Sequence, residues 1–282
     1  MKAAAFSLVV LTLNVAGPRR LHQGWPTRRE AILAGLKAQG ADADALQEVW
    51  RGDDLTALAA AAGHASRAFD ESLGLAVTSR LPLVSTASRD LGGGYGVLRA
   101  RLRDGAAEFD VYSARLEPGE GDAGARRLGQ LFRAAEFVRA ESSTRPFVLL
   151  GDRRVDYALI PYASKPPKEN AHAVMTDLLP DEDEAAALHF GLRAQLDGTF
   201  LKLKPSAMPP GRDEALATVE DALGEAIAEQ NRRTLAAGWI PFLGARRQAA
   251  AADEAARLTA VQEEVRTARQ RAVKRETPST PE

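Results

Sequence analysis

Residues 6–15, FSLVVLTLNV, decide how the rest of the chain is read. A single lysine, Lys2, precedes an apolar run that closes on small residues, which is the outline of a secretory leader. Thr12 and Asn14 interrupt that run, however, and "LNVAG" holds no convincing small-x-small cleavage site. The competing reading is a buried strand, Phe6 to Val15, rich in β-branched and aromatic residues and stopped by Gly17-Pro18. The pattern favours the strand, and with it a cytoplasmic protein; the leader would imply an exported one.

Working outward, Pro26-Thr27 opens a helix in which Thr27 and Glu30 have the spacing of a capping box, Ile32, Leu33 and Leu36 share a face, and Gly40 ends the run. "ADALQEVW" then predicts a short strand closing on Glu48, and "DDLTALAAAAGH" a second helix ending near Gly63. Strand followed by helix, twice over, points to a layered α/β fold. The segments "LGLAVTSRLPLV", "GVLRARL" and "AEFDVYSARL" alternate or are β-rich between Gly, Ser and Asp turns, and predict an antiparallel meander. A helix follows over about Gly124 to Glu141, then the strand of "PFVLLGD", and a last strand spans Phe190 to Asp197.

Composition changes after about Leu203. "KPSAMPPG" reads as a linker, and beyond it Ala, Glu and Arg dominate. Leu216, Val219, Leu223 and Ile227 form a helical stripe, Pro241 breaks the helix, and a second alanine-rich helix runs toward Arg271 before a disordered tail, "RETPSTPE". Two regions are therefore expected: 1–203, and a helical C-terminal extension over 204–282.

The 37 basic and 38 acidic residues leave a formal net charge of -1, so no global positive field advertises duplex DNA or an anionic membrane. The absence of cysteine excludes disulfides, thiol nucleophiles and thiolate zinc sites. Any metal would be held by oxygen or imidazole.

Asn14, Glu48, Asp152 and Asp156 each stand at or just past the end of an apolar strand. Singly, such residues cap strands and start turns. Together they could face one cleft, where a hard cation and a phosphate would sit. The motifs "LTLNV", "ADALQEVW", "GLAVTSRLPL", "FVLLGD", "RVDYALI" and "HFGLRAQLD" occur in the order that resembles the endonuclease/exonuclease/phosphatase superfamily, over about Phe6 to Asp197. The resemblance implies a four-layer α/β sandwich (α+β in its segregation of elements), with two packed, mostly antiparallel sheets. It also implies phosphoester hydrolysis dependent on Mg²⁺ or Mn²⁺, and it makes the leader-like run the first core strand.

By the same resemblance Glu48 is the metal ligand and Asn14 the amide that contacts phosphate. Asp152 orients or deprotonates the attacking water, and Asp156 pairs with His189, whose protonated ring stabilises transition-state charge. Three positions depart from the pattern. Arg154 stands where an asparagine should follow Asp152, Arg115 replaces a histidine in "ARL", and Leu188 replaces an acidic residue in "ALH". In addition, only three residues join Asp152 to Asp156, motifs that the superfamily keeps tens of residues apart.

The other candidates are blander. His22, His64 and His172 lie in loop-like or helix-end contexts without partners at metal spacing, and read as ordinary surface or core histidines. "LGGGYG" reads as a hairpin turn rather than a phosphate cradle. Arg19, Arg20, Arg28 and Arg29 read as solvated surface, with cleft lining as the alternative. Residues 232–247 flank Trp239 and Phe242 with arginine pairs; a helix-hairpin turn is the plainer reading, a peripheral membrane or protein contact the other.

The expected function is a divergent phosphoesterase acting on a small phosphorylated metabolite or a lipid headgroup in preference to duplex DNA. The alternative is a catalytically impaired relative, a pseudoenzyme that binds or scaffolds through its C-terminal helices.

Overall fold

The computed structural model describes residues 7–19, 24–118, 122–142, 145–151, 171–176, 191–197, 212–237 and 244–276. The N-terminal run is a strand, β1 (Ser7–Asn14), and it lies inside a sheet. It pairs in parallel with β2 (Ala43–Gln47) and antiparallel with β10 (Gly191–Asp197). With β3 (Ser66–Asp70), β4 (Leu75–Ser79) and β9 (Ala171–Thr176) these form a six-stranded sheet ordered β3-β4-β2-β1-β10-β9. A four-stranded sheet is ordered β5 (Leu83–Gly92), β6 (Tyr95–Asp104), β7 (Ala107–Arg115) and β8 (Phe147–Gly151), with only the β7-β8 pair parallel.

Strand alternation sorts the core into layers. Leu8 and Val10 of β1, Ala43 and Ala45 of β2, and Phe109 and Val111 of β7 belong to one buried cluster between the two sheets. Leu11 and Leu13, one residue out of phase, instead join Ile32, Leu36, Leu55 and Leu58 of the helices α1 (Trp25–Gln39) and α2 (Gly52–Ala62). On the outer face of the four-stranded sheet, Tyr112 meets Phe137 and Phe147 edge-on, with ring centroids 6.2 and 6.1 Å away. Two mixed, mostly antiparallel sheets packed together with helices are thus what the chain builds, as the motif order implied.

Several local expectations are corrected. The first helix begins at Trp25, with Gly24 as a cap lacking any side-chain hydrogen bond, so Thr27 and Glu30 form no capping box. Pro26 in the first turn already supplies helical φ and needs no amide partner there. The segment read as one meander divides: β4 pairs with β2 and β3, and the chain changes sheets at residues 80–82 before β5, β6 and β7 run antiparallel. His172, expected in a loop-like or helix-end context, lies in β9. Pro241 and the last six residues lie outside the described residues.

The chain packs as two compact units. The first holds both sheets, α1, α2 and residues from Phe137 to the end of the helix α3 (Asp122–Glu141). The second takes in Glu117–Glu136 together with α4 (Arg212–Ala237) and α5 (Gly244–Glu276). Of the expected stripe Leu216, Val219 and Leu223 are buried and Ile227 is half-buried; Leu258, Val261 and Val265 of α5 are buried as well. Within this unit Arg126 pairs with Glu117 and Glu254, and Arg133 with Glu264. Arg232 and Arg233, part of the suspected contact segment, are engaged by Glu229, and Arg233 also by Asp122. Among the described residues no helix is long and apolar enough to cross a membrane.

Candidate active site

Along the inter-sheet faces of three strands, apolar residues give way to polar ones. On β1 the series is Leu8, Val10, Thr12, Asn14; on β7 it is Phe109, Val111, Ser113, Arg115; on β2 Ala43 and Ala45 precede Gln47. The polar positions find one another. Gln47 Nε2 donates to Ser113 Oγ at 2.9 Å and to Thr12 Oγ1 at 3.2 Å, and Ser113 Oγ donates to Leu46 O at 3.0 Å. This buried layer closes the sandwich core beneath the next set of side chains.

Those are Asn14, Glu48 and Arg115. A regular strand would send Glu48 to the face opposite Gln47, but β2 ends at Gln47 and Glu48 has φ of 58°. A non-glycine residue in this region costs on the order of 1–3 kcal/mol and persists only where its surroundings impose it. Here Gly17 N–H donates to Glu48 O at 3.0 Å and Val49 N–H to Gly74 O at 3.0 Å. A Cβ on Gly17 would come within 2.6 Å of Glu48 O, so only glycine lets the two backbones approach this closely. The broken alternation brings the Glu48 carboxylate to Asn14, whose Nδ2 donates to Oε1 at 3.0 Å. Asn14 Oδ1 in turn accepts from Ala16 N–H at 2.8 Å.

Arg115, read from sequence only as a lost histidine, meets the same carboxylate: its Nε lies 3.3 Å from Glu48 Oε1. Nη1 donates to Gly94 O at 3.1 Å, in the β5-β6 turn, which is the hairpin that "LGGGYG" predicted. The guanidinium carbon stands 4.7 Å from the Tyr95 ring centroid and 5.2 Å from that of Trp50. Arg19 is 4.1 Å from the same Trp50 ring. Trp50 and Tyr95 were not singled out in the sequence, although Trp50 ends the very motif that contains Glu48. Arg28 and Arg29 are otherwise occupied: Arg28 donates to Ala16 O and lies near Trp25, and Arg29 pairs with Asp54 at 3.3 Å.

The five remaining site positions expected from sequence, Asp152, Arg154, Asp156, Leu188 and His189, lie outside the described residues. His64 is a buried core histidine: Nδ1 is 2.8 Å from Thr78 Oγ1 and Nε2 2.9 Å from Ala41 O. Beside it, 3.5 Å away, is the Asp44 carboxyl, which burial pushes up to about 8. Burial lowers the His64 value, so this pair is neutral at pH 7.

Mg²⁺ or Mn²⁺, which the motif order implies, needs an oxygen-rich shell of about six ligands. The described residues supply a single carboxylate for one, Glu48, whose Oε1 already faces the positive Arg115 and the Asn14 amide. A divalent ion at this oxygen would be repelled by the guanidinium beside it. Among the described residues no group of three or more His, Cys, Asp or Glu could hold a metal. These residues do not fit the ion.

Among solved structures, the chain is similar to a humanized D. rerio TDP2 carrying 14 mutations, with 12% identity and a TM-score of 0.51, covering 67% of this chain and 98% of that one. It is similar to a truncated Caenorhabditis elegans TDP2 with 13% identity and a TM-score of 0.52, covering 68% and 98%. A third likeness is to SmcL, with 12% identity, a TM-score of 0.53 and coverage of 68% and 99%. At such identities the likeness is one of fold. No curated protein matches the chain in sequence. The profile of the Endonuclease/Exonuclease/phosphatase family matches residues 11–152, from within β1 to the residue after β8, and so takes in Asn14, Glu48 and Arg115. With that match and the two packed sheets, the chain belongs to the endonuclease/exonuclease/phosphatase family.

Proposed function

We propose that the protein is a phosphoesterase that hydrolyses a small phosphodiester or phosphomonoester, a phosphorylated metabolite or a lipid headgroup, in preference to duplex DNA. The observation that carries this reading is the Asn14–Glu48 hydrogen bond of 3.0 Å. It joins an amide and a carboxylate at the ends of two parallel strands, where backbone strain at Glu48 is maintained by close contact with Gly17. The near-neutral charge of the chain supports a small substrate, since duplex binding draws on a dense positive surface. In this proposal Asp152 handles the attacking water and His189, oriented by Asp156, stabilises charge on the phosphoryl oxygens. Mg²⁺ or Mn²⁺ is the cofactor that family membership suggests, and among the described residues Glu48 is the one carboxylate of the site that could meet it.

The test is hydrolysis of a generic phosphodiester and a generic phosphomonoester, with and without Mg²⁺ or Mn²⁺, by wild type, Glu48→Gln and His189→Ala. Loss of turnover in both variants supports the reading. Turnover that is absent in wild type, or indifferent to both substitutions, sinks it.

A second reading, a binding or scaffold relative acting through its C-terminal helices and residues 232–247, is favoured by one observation: the Glu48 carboxylate is already paired with Arg115. A cytoplasmic location also belongs to the proposal, because removing the apolar run as a leader would delete a strand from inside a sheet. Fractionation that finds the processed protein outside the cell would overturn that part.

A further inference from the structure

Arg115 is held more firmly than a solvated arginine needs to be. A carboxylate, a backbone carbonyl and two aromatic rings contact its guanidinium, and only 17% of its side chain is exposed. A guanidinium has five N–H donors in a rigid fork. Nε faces Glu48 and Nη1 serves Gly94, while Nη2 has no hydrogen-bond partner among the described residues. Arg19, an exposed residue, shares the Trp50 ring. Among the described residues two guanidinium groups accompany one carboxylate here, and a planar fork matches two oxygens of a phosphate.

We infer that Arg115 is the resident positive charge of this site: it takes the place beside Glu48 that a divalent cation would hold, and it binds the substrate's phosphate group directly, with Arg19 as the second guanidinium. Glu48 is then a positioning residue for Arg115. Its strained backbone delivers a carboxylate that fixes the guanidinium and leaves the outer edge of the fork available to an anion. The inference rests on the phosphoesterase reading only for the identity of that anion.

The test titrates full-length protein with inorganic phosphate by calorimetry, in EDTA and in Mg²⁺, and separately with Mn²⁺ alone by electron paramagnetic resonance. Phosphate is expected to bind equally well in EDTA and in Mg²⁺. Arg115→Gln weakens that binding about tenfold to a hundredfold, the worth of a charged hydrogen-bonding partner, and Arg19→Gln weakens it less. Mn²⁺ alone binds wild type poorly, and Arg115→Gln improves its binding because Glu48 is released from its pair. Phosphate binding that requires Mg²⁺, or tight Mn²⁺ binding by wild type that Glu48→Gln abolishes, overturns the inference. The wild-type comparison needs no variant, so a misfolded Arg115→Gln protein does not leave the question open. Hydrolysis measured on the same samples separates the two proposals. Turnover that needs metal and is lost in Glu48→Gln keeps the phosphoesterase and removes the guanidinium role. Phosphate binding through Arg115 without turnover in any condition does the reverse.

Discussion

Two of the arginine–carboxylate pairs that strand β7 contributes to differ in almost every physical respect. On its outer face Asp110, with no exposed side-chain surface, accepts from Arg101 Nε at 2.8 Å and Nη2 at 3.0 Å. The same carboxylate accepts from Ser142 Oγ at 2.6 Å, that hydroxyl meets Tyr112 OH at 2.6 Å, and Arg101 Nη2 also reaches Glu141 O. On the inter-sheet face Arg115 touches Glu48 through one nitrogen at 3.3 Å, with 26% of the carboxylate side chain exposed. The first pair is bidentate, dry and saturated, as a buried charge must be if it is not to cost several kcal/mol. The second is single-contact and open. Saturation makes a structural element, and incomplete saturation beside a strained residue makes a site.

The largest effect should come from breaking the saturated pair. Asp110→Ala leaves the mostly buried Arg101, 13% exposed, without its counter-ion and is expected to destabilise the protein by about 3–5 kcal/mol in urea unfolding. A loss comparable to that of an exposed pair would erase the contrast.

A third carboxyl, Asp44, is buried with no cation at all, and its titration sharpens the comparison. Burial raises it from an ordinary value of 3.8 to about 8, so across that interval the folded state holds a proton that the unfolded state has lost. Stability therefore falls as pH rises through this window and levels off above it. His64 acts in the opposite sense: burial lowers its value from 6.5, so its contribution rises with pH up to that point and is constant beyond. Between 6.5 and about 8 only the Asp44 slope of the two remains, and Asp44→Asn should remove it, with a gain on the order of 2 kcal/mol at alkaline pH. A pH profile that is identical in the two proteins would show Asp44 to be ionised and paired.

Gly17→Ala places a methyl 2.6 Å from Glu48 O, and a cost of about 1–2 kcal/mol is expected from the displaced β1-β2 connection. Phosphate binding should weaken with it, while the Arg101–Asp110 pair stays intact. Smallest of all, Arg115→Gln should change unfolding free energy by less than about 1 kcal/mol, since a partly exposed single-contact pair contributes little and is screened by salt. A loss as large as that of Asp110→Ala would make Arg115 structural after all.

Much of the fold was readable because strands announce themselves locally. The β-branched run of β1, the Gly40 and Gly63 helix stops, both in left-handed conformation, and the glycine hairpin after β5 all follow from short-range sterics. The sheet change at residues 80–82 was not readable, because both β4 and β5 read locally as strands and the sheet each joins is set by the distant strand it meets. The site divides in the same way. Asn14 and Glu48 stand in recognisable motifs, whereas Arg115 looks in sequence like a loss, and Trp50 and Tyr95 like ordinary aromatics.

The sequence by itself determined the strands, their two-residue alternation, the family motifs and the polar residues at the strand ends, since each is set within a few residues along the chain. Only the tertiary structure decided that Arg115 meets Glu48 across 67 residues, on an inter-sheet face that Glu48 reaches by leaving the strand conformation. That meeting depends on which distant strands pair and on the packing of one sheet against the other, and no local pattern encodes either.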